Sequence, residues 1–246
     1  RRSSDLTCPF EEEMYRQAGV PVTYIGHPLA ETIPLEPDVR AARRTLGLPE
    51  DARVVTVMPG SRMSEIKYLT APYVRTVKLL AARDASIRFI APMAGERQKA
   101  YFMELVAKAG LQDVPLQLVD GESHACIAAA DAVLAASGTA TLEVALFKKP
   151  MVIAYKVLQA EWLIIRNMGY LPWIGLPNIL ARESVVPEFL QHAATPEALA
   201  DAVWFQLTDE NNRVRLRQRF TEMHYSLVRA SARESDRAVL QVIGKA

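Results

Sequence analysis

Between residues 54 and 168, short apolar runs alternate with longer stretches whose apolar positions recur every three or four residues. Runs at Val54–Met58, Ile87–Ala91, Leu116–Val119, Ala132–Ala135 and Met151–Tyr155 predict strands buried on both faces. Pro59-Gly60 ends the first of them. The stretches between predict helices. One carries Val74, Val77, Leu80 and Ala81, with Thr70 as N-cap and Pro72 in its first turn. Others cover Glu96–Ala109, stopped by Gly110, then Ser123–Ala130, Thr139–Phe147 and Gln159–Met168. Alternation of this kind predicts an α/β fold, a parallel sheet with helices on both faces. Right-handed crossovers make such a sheet doubly wound, and it takes ligands at the carboxyl ends of its strands.

The flanks break the pattern. Thr195-Pro196 opens a helix with an N-cap and a first-turn proline, and further helices are expected at about 210–229 and 234–243. At the start, Leu6–Phe10 and Val22–Ile25 are strand-like around a helix at about 11–18. Gly26-His27-Pro28 and the proline-spaced Pro34-Leu35-Glu36-Pro37 follow as a hinge and linker. Residues 1–33 are thus expected to be the remnant of one domain, 34–209 a ligand-binding domain and 210–246 C-terminal helices. Two strands are too few for an independent domain. The remainder of that first domain is expected upstream of Arg1, which is not an initiating Met.

Composition narrows the function classes. Half of the 246 residues are apolar, enough for a sizeable core, and the net charge of +1 offers no basis for binding nucleic acid. Cys8 and Cys126 form no CxxC pair, so neither a disulfide scaffold nor a zinc cluster is expected. No apolar run approaches membrane-spanning length.

Candidate chemistry sits in the turns that end strands. Met58-Pro-Gly60-Ser61-Arg62 supplies a glycine that permits close backbone approach and a guanidinium suited to phosphate. Alone, it reads as an ordinary strand-to-helix turn. Ala136-Ser137-Gly138-Thr139-Ala140 opens a helix, where free N–H groups and hydroxyls suit an anion or a simple cap equally. Two such turns at one sheet edge favour a diphosphate. Glu143, one helical turn beyond Thr139 among apolar neighbours, is placed to accept hydrogen bonds from ribose hydroxyls. Asn178 in Leu176-Pro177-Asn178, expected as a third loop, is a candidate donor to phosphate or sugar. P-loop, GxGxxG and HExxH motifs are absent, and His27, His124, His192 and His224 lack metal-ligand spacing. Lys148-Lys149, Lys156 and Arg166 flank Trp162 and Trp173; a core-facing helix with a solvated charged side outweighs a lipid-headgroup surface. The arginines at 213, 215, 217 and 219 read as solvated or subunit-contact charges.

Taken in order, several segments resemble the lipid-A-disaccharide synthase family. They are Tyr24-Ile-Gly-His-Pro-Leu-Ala30, Met58-Pro-Gly-Ser-Arg-Met-Ser-Glu-Ile66, Ala136-Ser-Gly-Thr-Ala-Thr-Leu-Glu-Val144, Pro150-Met-Val-Ile-Ala-Tyr-Lys156 and Leu176-Pro-Asn-Ile-Leu-Ala181. The resemblance implies a GT-B fold, two Rossmann-like domains across a cleft with C-terminal crossover helices, of which this chain holds the donor domain. It implies transfer of 2,3-diacylglucosamine from UDP-2,3-diacylglucosamine to 2,3-diacylglucosamine 1-phosphate, with inversion, giving a β-1,6 disaccharide and UDP. UDP would lie on Gly60, Ser61, Arg62, Ser137, Gly138, Thr139, Ala140, Glu143 and Asn178, with Gly26, His27 and Pro28 at the hinge. No cofactor or metal is implied. A homodimer through the C-terminal helices and peripheral contact with the cytoplasmic face of the inner membrane are implied as well.

The family's acceptor loop and candidate general base belong to the first domain, so no catalytic base is assigned and the chain alone is expected to transfer sugar poorly. Rival readings remain open at this point. They are another UDP-sugar enzyme of the same fold, either a 2-epimerase or the peptidoglycan N-acetylglucosaminyltransferase, a non-catalytic nucleotide-binding fragment, and, least supported, a nicotinamide oxidoreductase.

Overall fold

A computed structural model describes residues 26–158 and 172–228, together with Gln17, Gly19 and Trp162. The expected elements at 6–10, 11–18, 22–25, 159–168 and 234–243, and Cys8, lie outside the described residues apart from Gln17 and Trp162. In chain order the elements are α1 (Pro28–Thr32), α2 (Val39–Thr45), β1 (Val54–Met58), α3 (Met63–Arg83), β2 (Arg88–Met93), α4 (Glu96–Lys108) and β3 (Leu116–Asp120). There follow α5 (Ser123–Ala129), β4 (Ala132–Ala136), α6 (Ala140–Leu146), β5 (Met151–Tyr155), α7 (Leu176–Ala181), β6 (Glu188–Leu190), α8 (Pro196–Thr208) and α9 (Glu210–Leu227).

The six strands form one sheet in the order β3-β2-β1-β4-β5-β6, every pair parallel. This is the doubly wound order of a Rossmann-like domain. The apolar runs show why. Along β1, Val54 and Met58 join one core while Val55 and Val57 join the other. In β4, Val133 and Ala135 face the first core, and Ala132, Leu134 and Ala136 the second. Alternation with both faces buried requires helices on both sides. The first core lies under α1, α2, α5, α6, α7 and α9, and the second under α3, α4 and α8. The one polar residue within β1, Thr56, is fully buried and donates to the Cys126 carbonyl at 2.7 Å.

Three expectations about elements need correction. Helix α3 begins at Met63, well before Thr70, and Pro72 lies inside it. Its start is set by Glu65, whose carboxylate accepts from the Ser61 and Arg62 N–H groups at 3.0 and 3.1 Å. Such a reciprocal cap outranks the proline signal. Thr70, buried mid-helix, instead donates to the Ile66 carbonyl at 2.6 Å. Residues 176–178 are the first turn of α7, with proline at a tolerated position, rather than a loop. Lys148 and Lys149 are buried, not solvated. They close α6 in a C-terminal motif, with Lys148 N–H on the Ala145 carbonyl (2.8 Å) and Lys149 N–H on the Val144 carbonyl (3.1 Å).

The hinge segment docks on the last helix. His27 caps α1, its Nδ1 accepting from Leu29 N–H at 3.2 Å, and its own N–H donates to the Leu227 carbonyl at 3.1 Å. Beneath it, fully buried His224 pairs Nε2 with the Ala30 carbonyl (2.7 Å) and Nδ1 with Lys148 Nζ (2.6 Å). A carbonyl only accepts and an ammonium only donates, so His224 is neutral with its proton on Nε2. The α9 arginines are partly committed within the chain. Arg215 donates to the Val185 carbonyl at 3.1 Å, and Arg219 pairs with Glu183 and Glu222. Arg43 is likewise buried, pairing at 2.9 Å with Asp131 and donating to the Ala129 carbonyl.

Removing one partner of a buried ion pair strands the other. Arg43→Ala is expected to lower unfolding free energy by about 3 kcal/mol, measured by urea denaturation. A loss below about 1 kcal/mol would show that the pair contributes little. A second expectation concerns acid. Burial, reinforced by the Lys148 charge, holds the His224 pKa below its ordinary value of 6.5. The unfolded chain therefore takes up this proton first, so the contribution is complete above pH 6.5 and lost as pH falls through the folded pKa. Urea midpoints measured from pH 7.5 to 5 should fall, and the fall should flatten in His224→Gln.

Candidate functional site

At the carboxyl edge of the sheet, crossovers leave β1 toward one face and β4 toward the other, and the loops after them part. A pocket of about 420 Å³ opens there. Its walls are Met58 and Gly60–Arg62 after β1, Pro92–Ala94 at the end of β2, Gly121–Ser123 after β3, Ala136–Ala140 after β4, and the side chains of Glu65 and Glu143. Doubly wound sheets bind ligands at this switch point because chain reversal leaves a crevice that no crossover fills.

The two sequence-singled turns thus share one cavity, but they differ in what they offer. Glu65 already occupies the Ser61 and Arg62 N–H groups and lies 3.3 Å from the Arg62 guanidinium. Gly60, at φ +106°, has Glu65 Oε2 only 2.3 Å from where a Cβ would stand. This glycine is therefore needed for the glutamate to fold over the turn, and it also lines the pocket. The Arg62 side chain is 79% exposed beside the cavity.

The second turn is open. The Ser137 N–H is committed to the Ala154 carbonyl at 3.0 Å and its hydroxyl to the Ile174 carbonyl at 3.1 Å. Helical bonding begins with Thr141 N–H on the Gly138 carbonyl, so the N–H groups of Gly138, Thr139 and Ala140 precede the ladder. Gly138 and Thr139 are exposed, and an added Cβ on Gly138 would meet nothing within 4 Å. Across the cavity, Glu143 Oε2 lies 3.2 Å from His124 Nε2 on α5.

Asn178 does not reach this cavity. Fully buried, it accepts from the Val185 and Val186 N–H groups at 2.8 and 3.0 Å. It donates to the Val186 carbonyl at 2.9 Å and to Glu188 Oε1 at 2.7 Å. All four of its ordinary hydrogen-bonding positions are filled, which corrects the expectation that it contacts phosphate or sugar. Glu188 in turn accepts from the Ile174 and Gly175 N–H groups, both at 2.9 Å. A Cβ on Gly175 would stand 2.4 Å from Ile153 Cδ1 and 2.9 Å from Glu188 Oε1, so a larger residue there would force those side chains to shift. Glu65, the Pro92–Ala94 and Gly121–Ser123 walls and His124 escaped the sequence reading. For the walls a signal existed, since parallel alternation puts every strand's carboxyl end on the same edge. Glu65 lay inside the family-like Met58–Ile66 segment, which did not mark its role, and His124 carried no signal.

A family model described as lipid-A-disaccharide synthetase matches residues 6–243. The chain belongs to this family. The lipid-A-disaccharide synthase of Aromatoleum aromaticum is 44% identical over 247 residues, covering all of this chain and 63% of that protein. That of Paraburkholderia phymatum is 50% identical over 236 residues, covering 96% of this chain and 60% of that protein. This member of the lipid-A-disaccharide synthetase family therefore spans about three fifths of the length of these relatives. Among solved structures, the S. aureus MnaA–UDP co-structure matches with TM-score 0.62 at 12% identity, over 98% of this chain and 60% of that one. Anabaena Alr3699/HepE in complex with UDP and glucose matches with TM-score 0.55 at 18% identity, over 94% and 60%. At these identities the likeness shows the fold, which is that of GT-B glycosyltransferases.

The Asn178 network yields a stability expectation. Asn178→Leu keeps the volume but leaves the Val185 and Val186 N–H groups without acceptors. Stability should fall by about 3 kcal/mol in urea denaturation. A change under about 1 kcal/mol would mean the amide is not what holds β6 to α7.

Proposed function

We propose that the pocket between β1 and β4 binds the uridine diphosphate of a UDP-linked acylated glucosamine. The chain would then supply the donor half of lipid A disaccharide synthesis. The observation that carries the proposal is the pairing, in one cavity, of an exposed Arg62 side chain with an open Gly138–Ala140 turn and a carboxylate at Glu143. The guanidinium and the turn's N–H groups suit the diphosphate, and the carboxylate suits the two ribose hydroxyls. Family membership makes UDP-2,3-diacylglucosamine the donor and 2,3-diacylglucosamine 1-phosphate the acceptor in this reading.

In the transfer, the acceptor hydroxyl oxygen attacks the anomeric carbon, the bond from that carbon to the β-phosphate oxygen breaks, and UDP leaves with the electron pair. The attacking hydroxyl loses its proton to a base, for which no residue is assigned here. Arg62 and the turn would counter charge growing on the departing diphosphate, stabilising the transition state more than the ground state. Glu65 has a defined part in this scheme. It holds Arg62 at 3.3 Å before the ligand arrives, so the guanidinium exchanges one anionic partner for another.

The division into 1–33, 34–209 and 210–246 belongs to the same proposal, supported by α9 packing back on α1 and α6. So does peripheral contact with the cytoplasmic leaflet, consistent with no described helix being long and apolar enough to cross a membrane. Dimerisation through the C-terminal helices is part of it too, with Val214 and Tyr225 exposed on α9.

Calorimetric titration with UDP, with ADP as control, tests the proposal. Selective UDP binding is expected, weakened about tenfold or more in Arg62→Ala, which is about 1.4 kcal/mol. Glu143→Gln should weaken UDP more than the 2′,3′-dideoxy analogue. A chain that melts cooperatively yet binds no UDP would overturn the assignment.

A further inference from the structure

The opposite, amino-terminal edge of the sheet holds a second cavity, of about 410 Å³, between the segment before β4, the Lys148–Pro150 turn before β5, the 35–39 linker and α9. Four cationic side chains line it: Lys148, Lys149, Arg213 and Arg217. The three carboxylates in its wall leave most of that charge unpaired. Asp131 is held by Arg43 at 2.9 Å and by the Val54 N–H at 2.8 Å, and Glu210 by Arg213 at 2.9 Å. Glu36 attracts Lys148 without coming within ion-pair distance. Among the described residues, Lys148, Lys149 and Arg217 make no ion pair.

Hydrogen bonding within the chain leaves donors of this cluster unused. An ammonium has three donors, yet Lys149 Nζ has a single acceptor, the Ala130 carbonyl at 2.8 Å, although the residue is only 9% exposed. Lys148 sits at φ +58°, the helix-ending position that glycine occupies without strain. A lysine there aims its Nζ at the Pro34 carbonyl (3.2 Å) and at His224 (2.6 Å). Burial, together with repulsion from Arg217, pulls Lys148 down to about 8. Burial likewise pulls Lys149 down to about 8; Asp131 attracts it from beyond ion-pair distance, while Arg43, Arg213 and Arg217 repel it. Two buried lysines facing the exposed Arg217 across a cavity would be stabilised by an anion between them.

We propose that this cavity is a second anion site, distinct from the donor pocket, which takes a phosphate group between Lys148, Lys149 and Arg217. The ligand is a phosphate-bearing compound, either a free phosphate or pyrophosphate or the exposed phosphomonoester of a lipid headgroup. Its recognition is electrostatic and multidentate, with Arg217 closing the cavity from α9 and the lysines forming its floor. Occupancy would tie the linker, the β5 turn and α9 together through one ligand.

Calorimetry with inorganic pyrophosphate, at ionic strength held constant with chloride, tests this on the full chain. Four proteins are compared: wild type, Arg217→Glu, Lys78→Glu and Arg62→Ala. Lys78 is exposed on α3, so its variant carries the same change in net charge without touching the cavity. Arg62→Ala removes the exposed phosphate ligand of the donor pocket. The expected result is an isotherm that survives in Lys78→Glu and Arg62→Ala and weakens at least tenfold in Arg217→Glu. Three results overturn the proposal: no binding by wild type, wild-type affinity in Arg217→Glu, or loss of the isotherm in Arg62→Ala. Sedimentation with phosphatidic acid vesicles then identifies the source. Pelleting that Arg217→Glu abolishes points to a lipid headgroup. Pyrophosphate binding without pelleting points to a free phosphate compound.

Discussion

Burial of both faces of a short parallel sheet is the constraint on which everything else in this chain depends. Five-residue strands such as β1 and β4 have no side facing water, so each must be covered twice. Right-handed crossovers satisfy this only by winding outward from the centre in both directions. Where the winding reverses, between β1 and β4, no helix covers the strand ends, and the pocket is the space left behind. The site is therefore a by-product of how the core closes.

The two ends of the sheet use charge in opposite ways. At the carboxyl end, polar side chains are exposed or only partly covered: Arg62 rests on Glu65, and His124 on Glu143. At the amino end Arg43, Lys148 and Lys149 are buried. Arg43 is matched by Asp131, whereas Lys148 and Lys149 have only neutral acceptors, carbonyl oxygens and the neutral imidazole of His224. Desolvation makes these interactions stiff, and they join the linker, the β5 turn and α9 into one assembly. The hinge segment is anchored to that assembly through His27 on the Leu227 carbonyl and Ala30 on His224.

Glutamates acting as internal caps recur through the structure. Glu65 holds the turn after β1, and Glu188 holds the start of α7 while Asn178 steadies it. In both places a glycine, Gly60 or Gly175, stands where a side chain would collide with the carboxylate. The family-like segments around these positions thus mix residues that can meet a ligand with residues that shape the backbone presenting it. Arg62 and Gly138 belong to the first kind, and Asn178 to the second.

Sequence alone determined the strand runs, the parallel alternation and the edge on which Arg62, Ser137–Ala140 and Glu143 meet. Those features follow from local periodicity and from the rule that parallel strands share one carboxyl edge. It could not determine the fate of polar side chains, because a hydrogen-bonding partner is chosen by distance in space. Asn178 lies in a family-like segment, yet its amide closes on Val185, Val186 and Glu188. Lys148 and Lys149 follow an apolar helix like ordinary surface charges, yet α9, more than sixty residues later, packs over them. Pro72 signalled a helix start, but the Glu65 cap had already nucleated the helix at Met63. The tertiary structure alone decided whether each polar group faces water, a ligand or the core, because burial is a property of the packed layers and not of any window along the chain.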